Sequence, residues 1–240
     1  MPSPQYGPSA AVYDLLYVGA GIKDYVAEVA ALHHIIRERT PSARTLLDVA
    51  CGTGQHLALL LERYEVSGVD LSDEMLAVAR QRLPDVPLQR ADMRSLELGR
   101  TFDVVLCLFS SIGYLTAADD LQEAFRRFAR HVNPGGLVIV DGWVRPDAWR
   151  DGYRPEMERA SGGHVEVYRL VDPRRQGRIT TLVEHHLVRD PSGISHFVED
   201  HVLALTPTEE YVGAAEAAGL RVEVLPDYMP DRDRIVGVKE

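Results

Sequence analysis

Short apolar runs alternate with amphipathic segments over the first 141 residues. The runs "TLLDVA" (45–50), "VSGVD" (66–70), "PLQRAD" (87–92), "FDVVLCLF" (102–109) and "GGLVIVD" (135–141) read as strands. Residues 24–39, 55–64, 73–83 and 119–131 read as helices. Near-continuous apolar strands separated by helices predict an α/β fold, a doubly wound parallel sheet covered on both faces. The stretch "NPGG" at 133–136 supplies the predicted turn from the last of these helices into its strand. From about residue 155 the pattern changes. The runs "HVEVYRLVD", "GRITTLVEHHLVRD" and "GISHFVEDHVLALT" alternate partly with a period of two. Asp-Pro, Gln-Gly and Pro-Ser-Gly turn signals separate them, which predicts an antiparallel β insertion over 155–205. A helix opening at Thr206-Pro207-Thr208-Glu209 and two last strands, "RVEVLPD" and "DRIVGVKE", close the chain.

With 240 residues the chain is long enough for one domain with a full core. Its formal net charge of -10 argues against nucleic acid, because a long polyanion needs a basic face. It leaves room for a small anionic ligand held by a few arginines. No apolar stretch reaches the roughly 20 residues that span a bilayer, and "MPSPQYGPSAA" lacks the basic and apolar regions of a signal peptide. Cys51 and Cys107 have no metal-ligand spacing and read as buried thiols of a reducing cytoplasm. No His/Asp/Glu set has a zinc or magnesium pattern, so no metal is expected. Of His185 and His186, neighbours on a strand, one can face an acceptor.

The chemistry concentrates in "LLDVACGTGQHL". A nucleoside triphosphate loop ends in Lys-Ser/Thr, but here Gln55 and His56 follow the glycines. A dinucleotide turn needs a third glycine where this chain has Leu57. Asp48, just before the turn, would repel a pyrophosphate and suits a cation. A ligand with a positive end, a close approach over Gly52 and Gly54 and a ribose further on satisfies all of these residues, and S-adenosylmethionine is such a ligand. Asp70, at the end of the second strand, can accept from both ribose hydroxyls. Asp92 can accept from the adenine amino group, and the Met93 backbone N–H can reach a ring nitrogen.

The segments "LLDVACGTG", "GVDLS", "ADMRS" and "FDVVLCLFSSIGYL" resemble the motifs of class I S-adenosylmethionine-dependent methyltransferases. A closer resemblance, from Val12 to the C-terminus, is to N-methyltransferases and N,N-dimethyltransferases of nucleotide-linked amino sugars. It is carried by "YDLLYVGAGIKDY", "FSSIGYL", "RPDAWRDGY" and "RDRIVGV". The resemblance implies one methyltransferase domain over 1–240, with a mostly parallel seven-stranded Rossmann-like sheet and a helical lid over 1–40. Tyr17 and Tyr25 would close over cofactor and acceptor, with Ala50, Asp70, Leu71, Asp92, Met93 and Leu108 lining the cofactor. Trp143, Arg145, Tyr153 and Arg232 would lie near the sugar nucleotide and its diphosphate. Two departures from the family concern the acceptor: Tyr114 stands where members tend to have histidine, and "VGAGIKDY" replaces a more basic motif.

Methyl transfer from a sulfonium mainly requires a neutral nitrogen lone pair placed behind the methyl. Tyr17 and Tyr114 are the catalytic candidates, as orienting groups, because a phenol with a pKa of about 10 does not deprotonate an amine at pH 7. Other acceptors stay open, among them a small amine, an amino acid or a natural-product hydroxyl, as does a non-catalytic cofactor-binding module. The half-apolar inserted strands need a packing partner, which favours a homodimer.

Overall fold

The computed structural model describes residues 6–240. Residues 1–5, and with them the start of the predicted lid and of the segment read against a signal peptide, lie outside the described residues.

The first half builds the alternating layers. Helix α1 (Tyr25–Arg39) starts where Asp24 caps it, its Oδ1 accepting from Ala27 N at 2.9 Å. It leads to β1 (Thr45–Val49), α2 (Gln55–Leu60), β2 (Glu65–Asp70), α3 (Asp73–Arg82), β3 (Leu88–Arg90) and β4 (Phe102–Cys107). Ser72 caps α3 through Met75 N at 3.1 Å. Helix α4 (Ala118–His131) and strand β5 (Val132–Asp141) follow. After the four strands β6 (Glu158–Gly162), β7 (Val165–Gln176), β8 (Ile179–Asp190) and β9 (Gly193–Ala204), the chain closes with α5 (Thr208–Ala217), β10 (Leu220–Met229) and β11 (Arg232–Lys239).

The main sheet has seven strands in the order β10-β11-β5-β4-β1-β2-β3. Strands β1 to β5 pair parallel, and β11 and β10 join antiparallel. Neighbouring residues of each central strand serve opposite layers, as the two-residue period requires. Leu46, Val104, Leu106 and Ile139 pack under α1, α2 and α3, whereas Leu47, Val105, Val138 and Val140 pack under α4 and α5. Both faces are therefore apolar, and the strands read as continuous hydrophobic runs. Gly68 lets α2 approach: a Cβ there would stand 2.6 Å from Leu57 Cδ1. Leu57 occupies the place of the missing third glycine, and the small residue has moved to the opposing strand.

The second sheet, β6-β7-β8-β9, is antiparallel throughout. The segment before α1 lies on it, with Val12 and Leu16 packed against Ala160, Val167 and Val188. That segment contains a 3-10 turn (Pro8–Ala11) and a π-helical turn (Leu15–Gly19).

Three boundaries differ from expectation. The "NPGG" turn lies inside β5, because Val132 already pairs with Phe102, and Gly135 absorbs the irregularity at φ +75°. Asp172-Pro173 does not end β7, which runs on to Gln176. Past Arg169 strand β6 no longer pairs with β7, so Pro173 sits on an open edge, where a missing N–H costs no ladder bond. Strand β6 itself carries no apolar run, since "ERASG" has only Ala160 buried.

Candidate functional site

The glycine turn lies at the carboxyl edge of β1. Ala50, Gly52 and Gly54 all take positive φ, at +61°, +54° and +78°. Gly54 is the N-cap of α2. A Cβ on Gly52 would meet nothing within 4 Å, so the turn opens onto free space. Asp70, at the end of β2, accepts from Gly52 N and Ser72 N, each at 2.8 Å. These bonds fix its carboxylate beside the turn, and burial holds its pKa up against them.

Asp48 stands out chemically. It is 1% exposed, and neither carboxylate oxygen has a hydrogen-bond partner among the described residues. Burial pushes its carboxyl up to about 8; Asp70 and Asp141 add to this and Lys23 opposes it. A carboxyl kept dry and unpartnered holds its proton until a cation is brought beside it, so its ionised form is reserved for a positive ligand. Lys23 is the nearby cation of the chain itself. Its ammonium lies 3.2 Å from Glu28 Oε2, off the line of a hydrogen bond, and 3.4 Å from the centre of the Phe109 ring. Burial pulls its pKa down to about 8.

Beyond β2 and β3 a cleft of about 370 Å³ is lined by Leu71, Gln89, Arg90, Ala91, Asp92, Ser95 and Glu97. Leu71 is half exposed at its mouth. Asp92 is already engaged: Arg94 donates to both of its oxygens, from Nε at 3.0 and 3.1 Å and from Nη2 at 2.6 Å, which holds its pKa down. Met93 packs on the α4 side of the core. Leu108 is buried just past β4, followed by Phe109 and Ser110 at φ +52° and +63°. Two consecutive left-handed non-glycine residues store strain. Asp141, at the end of β5, compensates by accepting from Phe109 N at 3.1 Å, and Arg234 clamps Asp141 at 2.6 and 3.2 Å.

The segment before α1 is tied to the turn. Asp14 accepts from Thr53 Oγ1 at 2.7 Å and pairs with Arg82 at 2.5 Å. Tyr25 is buried against His56, edge to face. Tyr17 lies in the π-helical turn, edge-on to Phe109, and its Oη accepts from Arg169 Nη1 at 2.7 Å. Tyr114 ends a 3-10 turn after β4 (Ser111–Tyr114). Burial raises the pKa of both phenols, so both stay neutral.

The inner face of the second sheet meets the segment before α1 and Tyr114. Arg169 pairs with Glu158 at 2.5 Å and with Glu184 at 3.2 Å. His186 and His201 are both buried there, whereas His185 points outward and stacks on His196. Tyr114 Oη lies 2.9 Å from His201 Nδ1 and 2.8 Å from Tyr6 Oη.

The predicted acceptor-side residues divide. Trp143 carries the guanidinium of Arg232 over its ring at 4.5 Å, and Arg232 also reaches Ser110 Oγ at 3.4 Å. Arg232 has no carboxylate partner among the described residues. Arg145 is turned instead to Asp233 at 2.7 Å and Asp227 at 2.9 Å. Tyr153 is 59% exposed in the loop before β6, apart from the cluster. Lys23, Phe109, Asp141, Arg169, Glu184 and His201 were not singled out from the sequence. The signal for Glu184, Glu199 and His201 was present as polar residues at every second position, but the positions between them mix buried Val183 with polar or exposed residues such as His185, Asp200 and Val198, which hides the inward face.

Residues 46–136 match the family described as a methyltransferase domain. A Streptomyces venezuelae dTDP-3-amino-3,4,6-trideoxy-alpha-D-glucopyranose N,N-dimethyltransferase is 43% identical over 232 residues, covering 95% of this chain and 97% of its own. The crystal structure of Streptomyces venezuelae DesVI superposes with a TM-score of 0.91 at 42% identity, over 96% of this chain and 98% of that one. SAM-bound CalS10, an amino pentose methyltransferase from Micromonospora echinaspora, follows with a TM-score of 0.85 at 36% identity, over 95% and 97%.

Proposed function

The chain belongs to the S-adenosylmethionine-dependent amino-sugar N-methyltransferases, and from that membership we propose that it methylates the amino group of a nucleotide-linked deoxysugar, in the thymidine diphosphate series. The observation that carries this reading is Asp48, a buried carboxylate without a partner at the mouth of a glycine turn. Burial favours its neutral acid in the empty fold, and a cationic donor draws out the ionised form whereas a phosphate cannot, so the phosphates of the acceptor belong elsewhere. Arg232, stacked on Trp143 and free of carboxylates among the described residues, supports a diphosphate site beside Ser110.

S-adenosylmethionine supplies a methyl already activated on sulfur, which an amine lone pair displaces in line. Around it Asp70 takes the ribose hydroxyls, Asp48 faces the positive end, and Gly52 and Gly54 allow close approach. The cleft at Leu71 and Asp92 takes the adenine, with Leu108 beneath. Tyr17 and Tyr114 orient the amine by hydrogen bonds, and a phenol oxygen that accepts from N–H favours the amine over a quaternary product, so methylation stops at two groups. The latched segment before α1 serves as the lid. The exposed strip of Leu170, Leu187, Ile194 and Val198 lies on the outer face of the second sheet, beside a 350 Å³ cleft bordered by Tyr168 and His196. Its chemistry suits a second copy of the chain across a two-fold axis. Among the described residues no helix is long and apolar enough to cross a membrane, and two buried free thiols suit a reducing cytoplasm.

Incubation with S-adenosylmethionine and thymidine-diphosphate amino sugars, followed by mass spectrometry, tests the function. A gain of one or two methyl masses (about 14 Da each) supports it, and methylation of unrelated small amines but no sugar nucleotide rejects the acceptor. Sedimentation tests the dimer: a mass near twice 26.7 kDa that halves in Leu187→Glu is expected, and a monomeric wild type refutes it.

A further inference from the structure

An amino sugar arrives at neutral pH as an ammonium, and an ammonium has no lone pair with which to attack. The proton must leave before the nitrogen can attack, and two of the side chains that Tyr17 and Tyr114 touch, Arg169 and His201, are buried. Where it goes is legible on the inner face of the second sheet. His201 is 2% exposed. Its Nδ1 faces the Tyr114 hydroxyl at 2.9 Å. Its Nε2 has no hydrogen-bond partner among the described residues and stands between Glu184 Oε2 at 3.8 Å and Glu199 Oε2 at 3.9 Å. An imidazole between two carboxyl groups is built to become a cation.

The charged surroundings agree from each packed element. Glu184 on β8 and Glu158 on β6 are matched by one cation, Arg169 on β7. Glu199 on β9 adds a third carboxyl, with one oxygen accepting from Ser9 N at 3.3 Å and the other without a partner. His186 sits 3.3 Å from Glu184 on the same strand face. The lid contributes the phenols of Tyr6 and Tyr17, neutral because burial raises them. Counted as three carboxylates against one guanidinium, the cluster is two positive charges short of balance. Burial lowers the pKa of His201, so at rest the ring is neutral and able to accept. A sulfonium beside the acceptor nitrogen acidifies the ammonium by like-charge repulsion, which drives the proton towards the carboxylates.

Resting on the amino-sugar reading above, we propose that His201 is a positioning residue that acts through Tyr114 and holds the proton the acceptor ammonium loses before methyl transfer. The step balances. The ammonium N–H breaks, its proton passes to Tyr114 Oη, and the Tyr114 hydroxyl proton passes to His201 Nδ1. The amine keeps its lone pair, Tyr114 remains a neutral phenol, and His201 becomes an imidazolium between Glu184 and Glu199. The proton returns to solvent when product leaves. A histidine acting directly on the amine is thereby replaced by a tyrosine with a histidine behind it.

His201→Asn keeps a polar atom at the Nδ1 position, able to bond Tyr114, but cannot hold a proton. Calorimetric titration of a thymidine-diphosphate amino sugar into the complex with sinefungin, an unreactive cofactor analogue whose ammonium replaces the sulfonium charge, in two buffers of different ionisation enthalpy at pH 7, counts the protons released. The wild type is expected to release close to none, and His201→Asn close to one. Turnover of His201→Asn is expected to fall about tenfold or more at pH 7 and to recover towards the wild-type value as pH rises past the pKa of the free amine. KM, cofactor affinity and Tm are expected to stay within about threefold and a few degrees. Equal proton counts with unchanged pH profiles would overturn the role. So would a parallel loss of turnover, affinity and Tm with no pH recovery, which would make His201 structural. If the wild type binds no sugar nucleotide at all, the acceptor assignment falls and takes this role with it.

Discussion

Asp48, Gly52, Asp70 and Asp92 each stand within three residues of the end of a parallel strand, whereas Tyr6, Tyr17, Tyr114, Arg169, Glu184 and His201 converge from five separate stretches of chain. The first set is local: each residue is placed by the strand that precedes it and by its own backbone bonds, as Gly52 and Ser72 hold Asp70. The second set is held by side chains that hold one another, as Arg169 does Tyr17 and Glu184. A ligand site made the first way keeps its geometry when one side chain is changed. A wall made the second way loses several contacts at once.

Arg169→Met gives the largest expected effect and tests that difference most directly. Removing the guanidinium leaves Glu184 buried without its cation, at a cost of about 3–5 kcal/mol, or roughly 10 °C in Tm. Turnover should fall with it, while cofactor affinity measured by calorimetry stays within about threefold. A double variant, Arg169→Met with Glu184→Leu, should regain Tm without regaining turnover. Loss of cofactor affinity in either would show that the two regions are not separate.

Asp48→Asn works on the other region, with a smaller effect. The Asp48 pKa in the fold, about 8, lies above the unfolded value of about 3.9. Its contribution to stability is therefore fully present below about pH 4 and is lost as pH rises to about 8. Denaturant melts should show this decline in the wild type and not in Asp48→Asn. Because a cationic ligand favours the ionised carboxyl, wild-type cofactor affinity should rise by up to about tenfold per pH unit below 8 and level off above it. The variant should bind about 10–100-fold more weakly, without that slope. Equal slopes would remove Asp48 from the cation site. Arg94→Ala is the mildest: it releases Asp92 from an exposed pair worth about 0–1 kcal/mol, so cofactor affinity should tighten by no more than about threefold.

The same difference explains what could be read in advance. The parallel layers announce themselves because both faces of β1, β2 and β4 are buried, so apolar run, acid and glycine turn follow one another in the chain. Asp48, Asp70 and the glycines are legible for that reason. Strand β6 was not, having one buried residue in five, and neither was the continuation of β7 through Pro173, where the edge position cancels the usual meaning of proline. Glu184 and His201 escaped notice because their partners lie on β7 and β9 or in the lid, at separations no short spacing reveals. That one of the adjacent histidines would turn inward was expected from alternation; that it would be His186 followed only from the register with Arg169 and Phe197.

Strands β6 to β9 form one uninterrupted stretch, residues 158–204, between two elements of the main sheet's own architecture. Recombination at only two joints could therefore exchange the whole panel as a cassette between relatives, leaving the glycine turn and Asp70 in place. Such a graft would carry Arg169, Glu184 and His201 with it but leave Tyr6, Tyr17 and Tyr114 behind. Lineages that trade this cassette should thus change those three aromatic positions in concert with it.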